Sequence, residues 1–364
     1  MLACAAMFGS TLLPRTLEAA VRDLGSTKAS VRADAARDLA RHAQEARVEV
    51  VRGLEGALAD PAAEVRAAAA TALADADATE AIPALIRAMD DPEPIARQMV
   101  TAALGELAEP TDAAAVERLR RALSDREPQV RFQATIAFPR LAPSRDAAVE
   151  ALLRASNDDD TFVCHIALRI TEELLAGEGA ALDERLFTRA RALLTRGAPM
   201  VRVASALLLA RGAAGKTYGD GEGAASRPVR EVLIAVALGE LSTTDGQDEA
   251  AAIELCGELG LEAARPGLER RAFGRALFIR DRFAWHARVA LARMGHARAR
   301  EQIVRDLDAW DRDLRTLAVA AAGRARIGQA RAIIASMRGD ERRADPHAVD
   351  EALAALAAAE GVST

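Results

Sequence analysis

Apolar residues recur along this chain at spacings of three and four, in short stretches that end at Asp, Pro or Gly. Between Ala81 and Met89 they are Ile82, Leu85, Ile86 and Met89, one stripe of an α-helix. Asp91-Pro92 ends that stripe, because proline disfavours helical geometry in the residue before it. A second, alanine-rich stripe follows, apolar at i, i+3, i+4 and i+7, and then the pair of stripes returns. Four segments align without a gap: LGSTKASVRADAARDLA from Leu24, LADPAAEVRAAAATALA from Leu58, MDDPEPIARQMVTAALG from Met89 and LSDREPQVRFQATIAFP from Leu123. Their anchors Val31, Val65, Ala96 and Val130 are 34, 31 and 34 residues apart. Weaker copies surround Val163, Val201, Ala250, Phe283, Leu314 and Val349. One such helical hairpin cannot bury its apolar stripe alone, and stacking on the next copy does so. Small pairs such as Ala35-Ala36 and Ala68-Ala69 let neighbouring helices approach closely. The pattern predicts an all-α fold, a right-handed α-solenoid of about ten helical hairpins, whose second helices line the concave face.

The segment DPAAEVRAAAATALA, an Asp-Pro turn followed by Val-Arg-x-x-Ala-Ala, resembles HEAT-like repeats, in particular the short alanine-rich kind of phycobilin-lyase-type bacterial proteins. The resemblance runs over roughly residues 14–364 and implies fold more than function. It also implies that turn Asp and following Arg form a ladder: Asp60 with Arg66, Asp91 with Arg97, Asp125 with Arg131. Arg32 and Arg202 have the Arg without the matching Asp, and Cys164 stands where its copy would carry Arg.

Composition agrees with a folded helical chain. Of the 364 residues, 51% are hydrophobic and 28% charged, enough to bury a core, whereas 3% aromatic residues are too few for an ordinary β-sandwich or barrel. Lys28 and Lys216 are the only lysines among 48 basic residues, which reads as the codon usage of a GC-rich genome. The expected organisation is an N-terminal segment 1–13, an acidic array 14–213, a glycine-rich loop or hinge 214–227 containing Tyr218, and a second array 228–364. Charge divides unevenly: residues 265–343 hold 19 Arg against 9 Asp and Glu, although the whole chain is −6.

Candidate chemistry is sparse. Ala210–Thr217 reads ARGAAGKT, a relaxed phosphate-loop pattern, but a helix precedes it where a phosphate loop follows a strand. None of His42, His165, His286, His296 and His347 is followed by Glu, so the His-Glu pairs of metal-binding HEAT-repeat hydroxylases are missing, and no metal site is expected. Cys4, Cys164 and Cys256 are far apart, which fits a reducing, cytoplasmic setting rather than a disulfide framework. No stretch approaches the roughly 18 apolar residues of a membrane span. The basic block is the most informative feature. It interleaves Arg with aromatic residues in RRAFGRALFIRDRFAWHAR, Arg270–Arg288, the combination that holds phosphates and unstacked bases. Arg270, Arg271, Arg275, Arg282, Trp285, His286, Arg288 and Trp310 are the candidate partner-binding residues.

The expected function is a non-catalytic scaffold that binds a protein partner along the concave face, with no cofactor and with oligomeric state open. One alternative is nucleic-acid binding or alkylation-repair-like activity through block 265–343. The other, implied by resemblance alone, is a lyase-type accessory subunit.

Overall fold

In the computed structural model, residues 15–176, 183–212, 226–274 and 281–361 are described; the expected loop 214–227 lies mostly outside them. Good helix formers fill the described chain, and it contains α-helices with short 3₁₀ turns and no strand. It divides into two units, up to Leu174 and from Leu175.

The first unit holds α1 (Leu17–Asp23), α2 (Ala29–Ala40), α3 (Arg47–Ala57), α4 (Ala63–Asp75), α5 (Ile82–Ala88), α6 (Pro94–Leu107), α7 (Ala113–Ala122), α8 (Pro128–Leu141), α9 (Arg145–Ala155) and most of α10 (Thr161–Ala176). The second holds α11 (Glu184–Arg196), α12 (Pro199–Gly212), α13 (Arg227–Leu238), α14 (Gly246–Glu258), α15 (Arg265–Phe273), α16 (Ala284–Arg293), α17 (Ala297–Asp306), α18 (Arg312–Arg324), α19 (Arg331–Ala335) and α20 (Pro346–Gly361). Most odd-numbered helices pair with the even-numbered helices that follow, as α3 does with α4 and α17 with α18. Second helices also pack on second helices, α2 on α4, α4 on α6, α6 on α8, and α14 on α16. That is the nearest-neighbour packing of a solenoid.

Helix starts are set locally. Pro94 and Pro128 occupy the first helical position, where their missing N–H loses no hydrogen bond. Ser144, Asp183, Asp245 and Asp311 accept hydrogen bonds from first-turn N–H groups. The first helix of the third hairpin starts where its apolar stripe does: Thr79–Ala81 form a 3₁₀ turn and α5 runs Ile82–Ala88. Ala81, Ala264, Ala299 and Ala330 fill the same place in four repeats, each fully buried, because a larger side chain would push the entering helix off its neighbour.

Four second helices, α4, α14, α16 and α18, end in one recurring way. Asp77, Gly260, Gly295 and Arg326 all have positive φ, between 51° and 79°. In each case the next residue's N–H reaches back five positions: Ala78 to Leu73 O, Leu261 to Cys256 O, His296 to Leu291 O and Ile327 to Ala322 O, at 2.9–3.0 Å. This is the Schellman closure, in which glycine is favoured because a Cβ is strained there. Replacing Arg326 with glycine should therefore raise stability by about 0.5–1 kcal/mol, read as a higher midpoint in urea; Asp77→Gly should gain less, since Asp tolerates this region better than Arg. An unchanged or lower midpoint for Arg326→Gly would contradict the strain argument.

Candidate interaction surfaces

The arginine that follows each turn does two jobs. Its Nη1 donates to the carbonyl of its own turn, Arg66 to Asp60 O at 2.8 Å, Arg97 to Asp91 O at 2.9 Å and Arg131 to Asp125 O at 2.9 Å. Its Nε and Nη2 grip the carboxylate of the next turn. Arg66 thus pairs with Asp91, Arg97 with Asp125 and Arg131 with Asp158, each through two bonds of 2.5–2.9 Å. The ladder is therefore one repeat out of the expected register. The carboxylate in its own turn already accepts a backbone N–H two residues on, as Asp125 does from Glu127 at 2.9 Å, and the own-turn contact falls to the carbonyl. Arg32, expected to lack its Asp, pairs with Asp60 at 2.7 Å. In the Cys164 copy the thiol contacts Ser156 O at 3.3 Å.

Titration of these carboxylates follows from that geometry. The Arg32 hydrogen bond is the main reason that Asp60 sits below the usual carboxylate range. For Asp91, Asp125 and Asp158 burial is the largest single influence and works upward. Bonds from Arg66, Arg97 and Arg131, with the turn N–H groups, together outweigh it and leave all three low.

The basic block is largely engaged within its own unit. Arg270 Nη2 donates to Leu238 O at 2.6 Å, and Arg271 to Ala237 O at 3.2 Å and Val236 O at 3.0 Å; both close the C-terminus of α13, where carbonyls lack helical partners. Arg271 also lies 3.2 Å from the buried Glu249 carboxylate and 3.5 Å from Asp281. Arg282 is exposed, 3.4 Å from Glu249 and 4.5 Å from the centre of the buried Phe283 ring. Arg288 is buried, with its guanidinium 4.8 Å from the Trp285 ring centre, and donates to Ala272 O at 3.3 Å. His286 Nδ1 is 2.6 Å from Glu254 Oε1, which also accepts from Arg324 Nη1 at 2.6 Å. Arg293 pairs with Glu258. Trp310 stands apart, 97% exposed in the turn before α18, with its carbonyl held by Arg315 Nη1 at 2.8 Å. Arg275 lies outside the described residues.

Sequence reasoning missed the counter-charges. Glu249, Glu254 and Glu258 all lie on α14, outside the block, and meet arginines of α15, α16 and α18. Their recurrence at spacings of five and four on one helix was the available signal. The net charge of a sequence window counts none of this cross-helix neutralisation.

The second-helix face of the first unit is different in kind. Ile95 on α6 and Phe162 on α10, each one residue before its repeat anchor, are 48% and 53% exposed. Met99 on α6, Phe132 and Ile136 on α8, and Ile166 on α10 are partly exposed.

Other groups offer less chemistry. Cys256 is fully buried, and burial pushes its thiol up to about 12, so it stays protonated and poorly nucleophilic at neutral pH. A cavity of 210 Å³ lined by Met89, Thr101, Arg118 and Asp125 is smaller than the roughly 300–1,000 Å³ of usual ligand pockets. Across it Arg118 and Asp90 bridge each other at 2.7 Å. Among the described residues no helix is long and apolar enough to cross a membrane.

Comparison with known proteins agrees on architecture. A family model of HEAT repeats matches residues 51–137, from α3 into α8, so that stretch is HEAT-repeat-like. The Escherichia coli protein YibA is similar in structure, with a TM-score of 0.51 at 16% identity over 77% of this chain and 92% of that one; the likeness is one of fold. An engineered protein reaches a TM-score of 0.42 at 20% identity, covering 94% of this chain and 98% of its own. The complex of CpcE and CpcF of phycocyanin lyase from Nostoc gives 0.32 at 19% identity, over 79% and 91%. No curated protein matches the sequence.

Proposed function

We propose that this protein is a non-catalytic scaffold that binds a protein partner along its second-helix face. The observation that carries the reading is the unequal use of side chains. Strongly functional groups, from the ladder arginines to Arg271 and Arg288, are held by internal contacts, whereas large apolar residues at Ile95 and Phe162 stay exposed. Repeat folds present such extended faces to partners, and exposed apolar groups rimmed by polar ones mark interaction sites. Affinity purification of the full chain from native lysate should return one protein at fixed molar ratio. Recovery of none, together with turnover of a substrate, would overturn the reading.

Nucleic-acid binding through block 265–343 is the second reading. It is favoured by the full exposure of Trp310 and by Arg298, Arg300 and Arg305 exposed on α17. It is weakened by the engagement of Arg270, Arg271 and Arg288 described above. A gel shift that weakens with salt and is lost in Trp310→Ala would support it; no shift at low salt would remove it.

A further inference from the structure

The exposed apolar residues of the first unit share one register. Numbering each second helix from its anchor, Ile95 and Phe162 are at −1, Met99 and Ile166 at +3, Ile136 at +6 and Phe132 at +2. These offsets fall on one side of a helix with 3.6 residues per turn. On α4 the positions −1, +3 and +6 carry Glu64, Ala68 and Thr71, so the strip begins at α6 and runs over α8 to α10. In the second unit the +3 position carries His286 on α16 and Leu317, 46% exposed, on α18, and charged groups of the same second helices form cross-helix ion pairs, Glu254 with His286 and Arg324, and Glu258 with Arg293. The run of apolar residues over α6, α8 and α10 is thus not a property of every repeat.

The charge around it is predominantly acidic. Residues 58–174 contain 21 acidic and 12 basic residues, a net of −9. Glu64, Glu93, Glu106 and Asp159 are exposed on the turns and helix ends beside the strip, and none is in an ion pair among the described residues. The basic members of the same stretch are mostly engaged: Arg66, Arg97 and Arg131 in the ladder, and Arg140 with Glu173 at 2.7 Å.

We infer that this strip is the docking site for a basic amphipathic helix of a protein partner. The inference rests on the scaffold reading and gives it a place and a ligand class. Packed helices lie about 8–10 Å apart, and residues seven apart in a helix are separated by about 10.5 Å along its axis. A helix laid across α6, α8 and α10 therefore sets apolar residues at i, i+7 and i+14 over successive repeats. Lysines and arginines on its flanks meet Glu64, Glu93, Glu106 and Asp159, which steer it and set its orientation.

The test uses the full chain and two fluorescein-labelled helical peptides with the same apolar stripe, one with Lys on the flanks and one with Glu. The Lys peptide should bind at least tenfold more tightly, with affinity falling as salt rises. Ile95→Glu and Phe162→Glu, at exposed positions, should each weaken it at least tenfold with unchanged helical circular dichroism. Glu93→Lys with Glu106→Lys should weaken it and reduce its salt dependence. Equal binding of both peptides, or binding indifferent to Ile95→Glu and Phe162→Glu, overturns the inference. So does self-association of the chain that Ile95→Glu abolishes, since the occupant is then a second copy. If neither peptide binds while purification still returns a stoichiometric partner, this inference fails and the scaffold reading survives; if both experiments fail, so do both readings.

Discussion

Gly257→Val should destabilise the second unit by about 3 kcal/mol, the upper range for forcing extra carbon into a packed core. A Cβ at Gly257 would lie 2.4 Å from Ala290 Cα and 2.5 Å from its carbonyl oxygen. Both are backbone atoms of α16, so no side chain can swing aside and the two helices must separate. Gly257→Ala should also lose stability, although alanine favours helix over glycine by about 1 kcal/mol. Gly56→Ala is the control. It lies on the exposed face of α3 with nothing within 4 Å of its Cβ, and it should gain up to about 1 kcal/mol from propensity alone. Urea unfolding followed by circular dichroism reads all three, and Trp285 on α16 reports the second unit by fluorescence. A Gly257→Ala protein as stable as the parent would show that α14 and α16 do not meet this closely.

Removing Arg97 should cost about 2–3 kcal/mol, somewhat below the usual loss for breaking a buried ion pair because both partners keep some contact with water. Arg97 is the most enclosed of the ladder arginines, with its side chain 9% exposed, and Asp125 is 16% exposed. Arg97→Lys should rescue little, since an ammonium cannot make the two parallel bonds to the carboxylate. In the double-mutant cycle of Arg97→Ala with Asp125→Ala the losses should fall short of additive by about 1 kcal/mol or more. The pH dependence has a definite sign. Asp60, Asp91, Asp125 and Asp158 are held low in the folded chain, so the unfolded chain takes up protons first. Their contribution is complete above the unfolded carboxylate pKa of about 4 and is lost as pH falls through the lower folded values. The parent should therefore lose more stability between neutral pH and pH 3 than Arg97→Ala does. Equal losses, or an additive cycle, would mean that the Arg97–Asp125 pair contributes nothing.

Much of the fold was written in spacing. The recurrence of Val31, Val65, Ala96 and Val130 gave the hairpins, and the turn Asp with its following Arg gave the parts of the ladder. The direction of the ladder was not legible. Arg66 is six residues after Asp60 and twenty-five before Asp91, and choosing between them requires knowing that the next turn stacks within reach. Gly257 was illegible for a related reason: within a helix a glycine reads as a weakness, and only the neighbouring Ala290 backbone shows why it is needed. The candidate residues were found as types but not as environments. Arg271 and Arg288 look identical in sequence to an exposed Arg282, yet the C-terminal carbonyls of α13 and the Trp285 ring decide what each one does. The apolar strip left a faint trace in Pro-Ile-Ala-Arg and Thr-Phe-Val-Cys, where an apolar residue precedes the anchor instead of a polar one.

Because every ladder arginine reaches forward to the same place in the following hairpin, the bonding pattern is indifferent to how many hairpins there are. Excising a whole period from Asp60 to Asp90 would leave Arg32 facing Asp91, a partner with the same chemistry as the one removed. Cutting out a single helix offers no such substitute and strands both ends. Arrays joined in this way can lengthen or shorten by duplication and loss of complete periods, so inheritance can adjust the reach of the molecule without redesigning its seams.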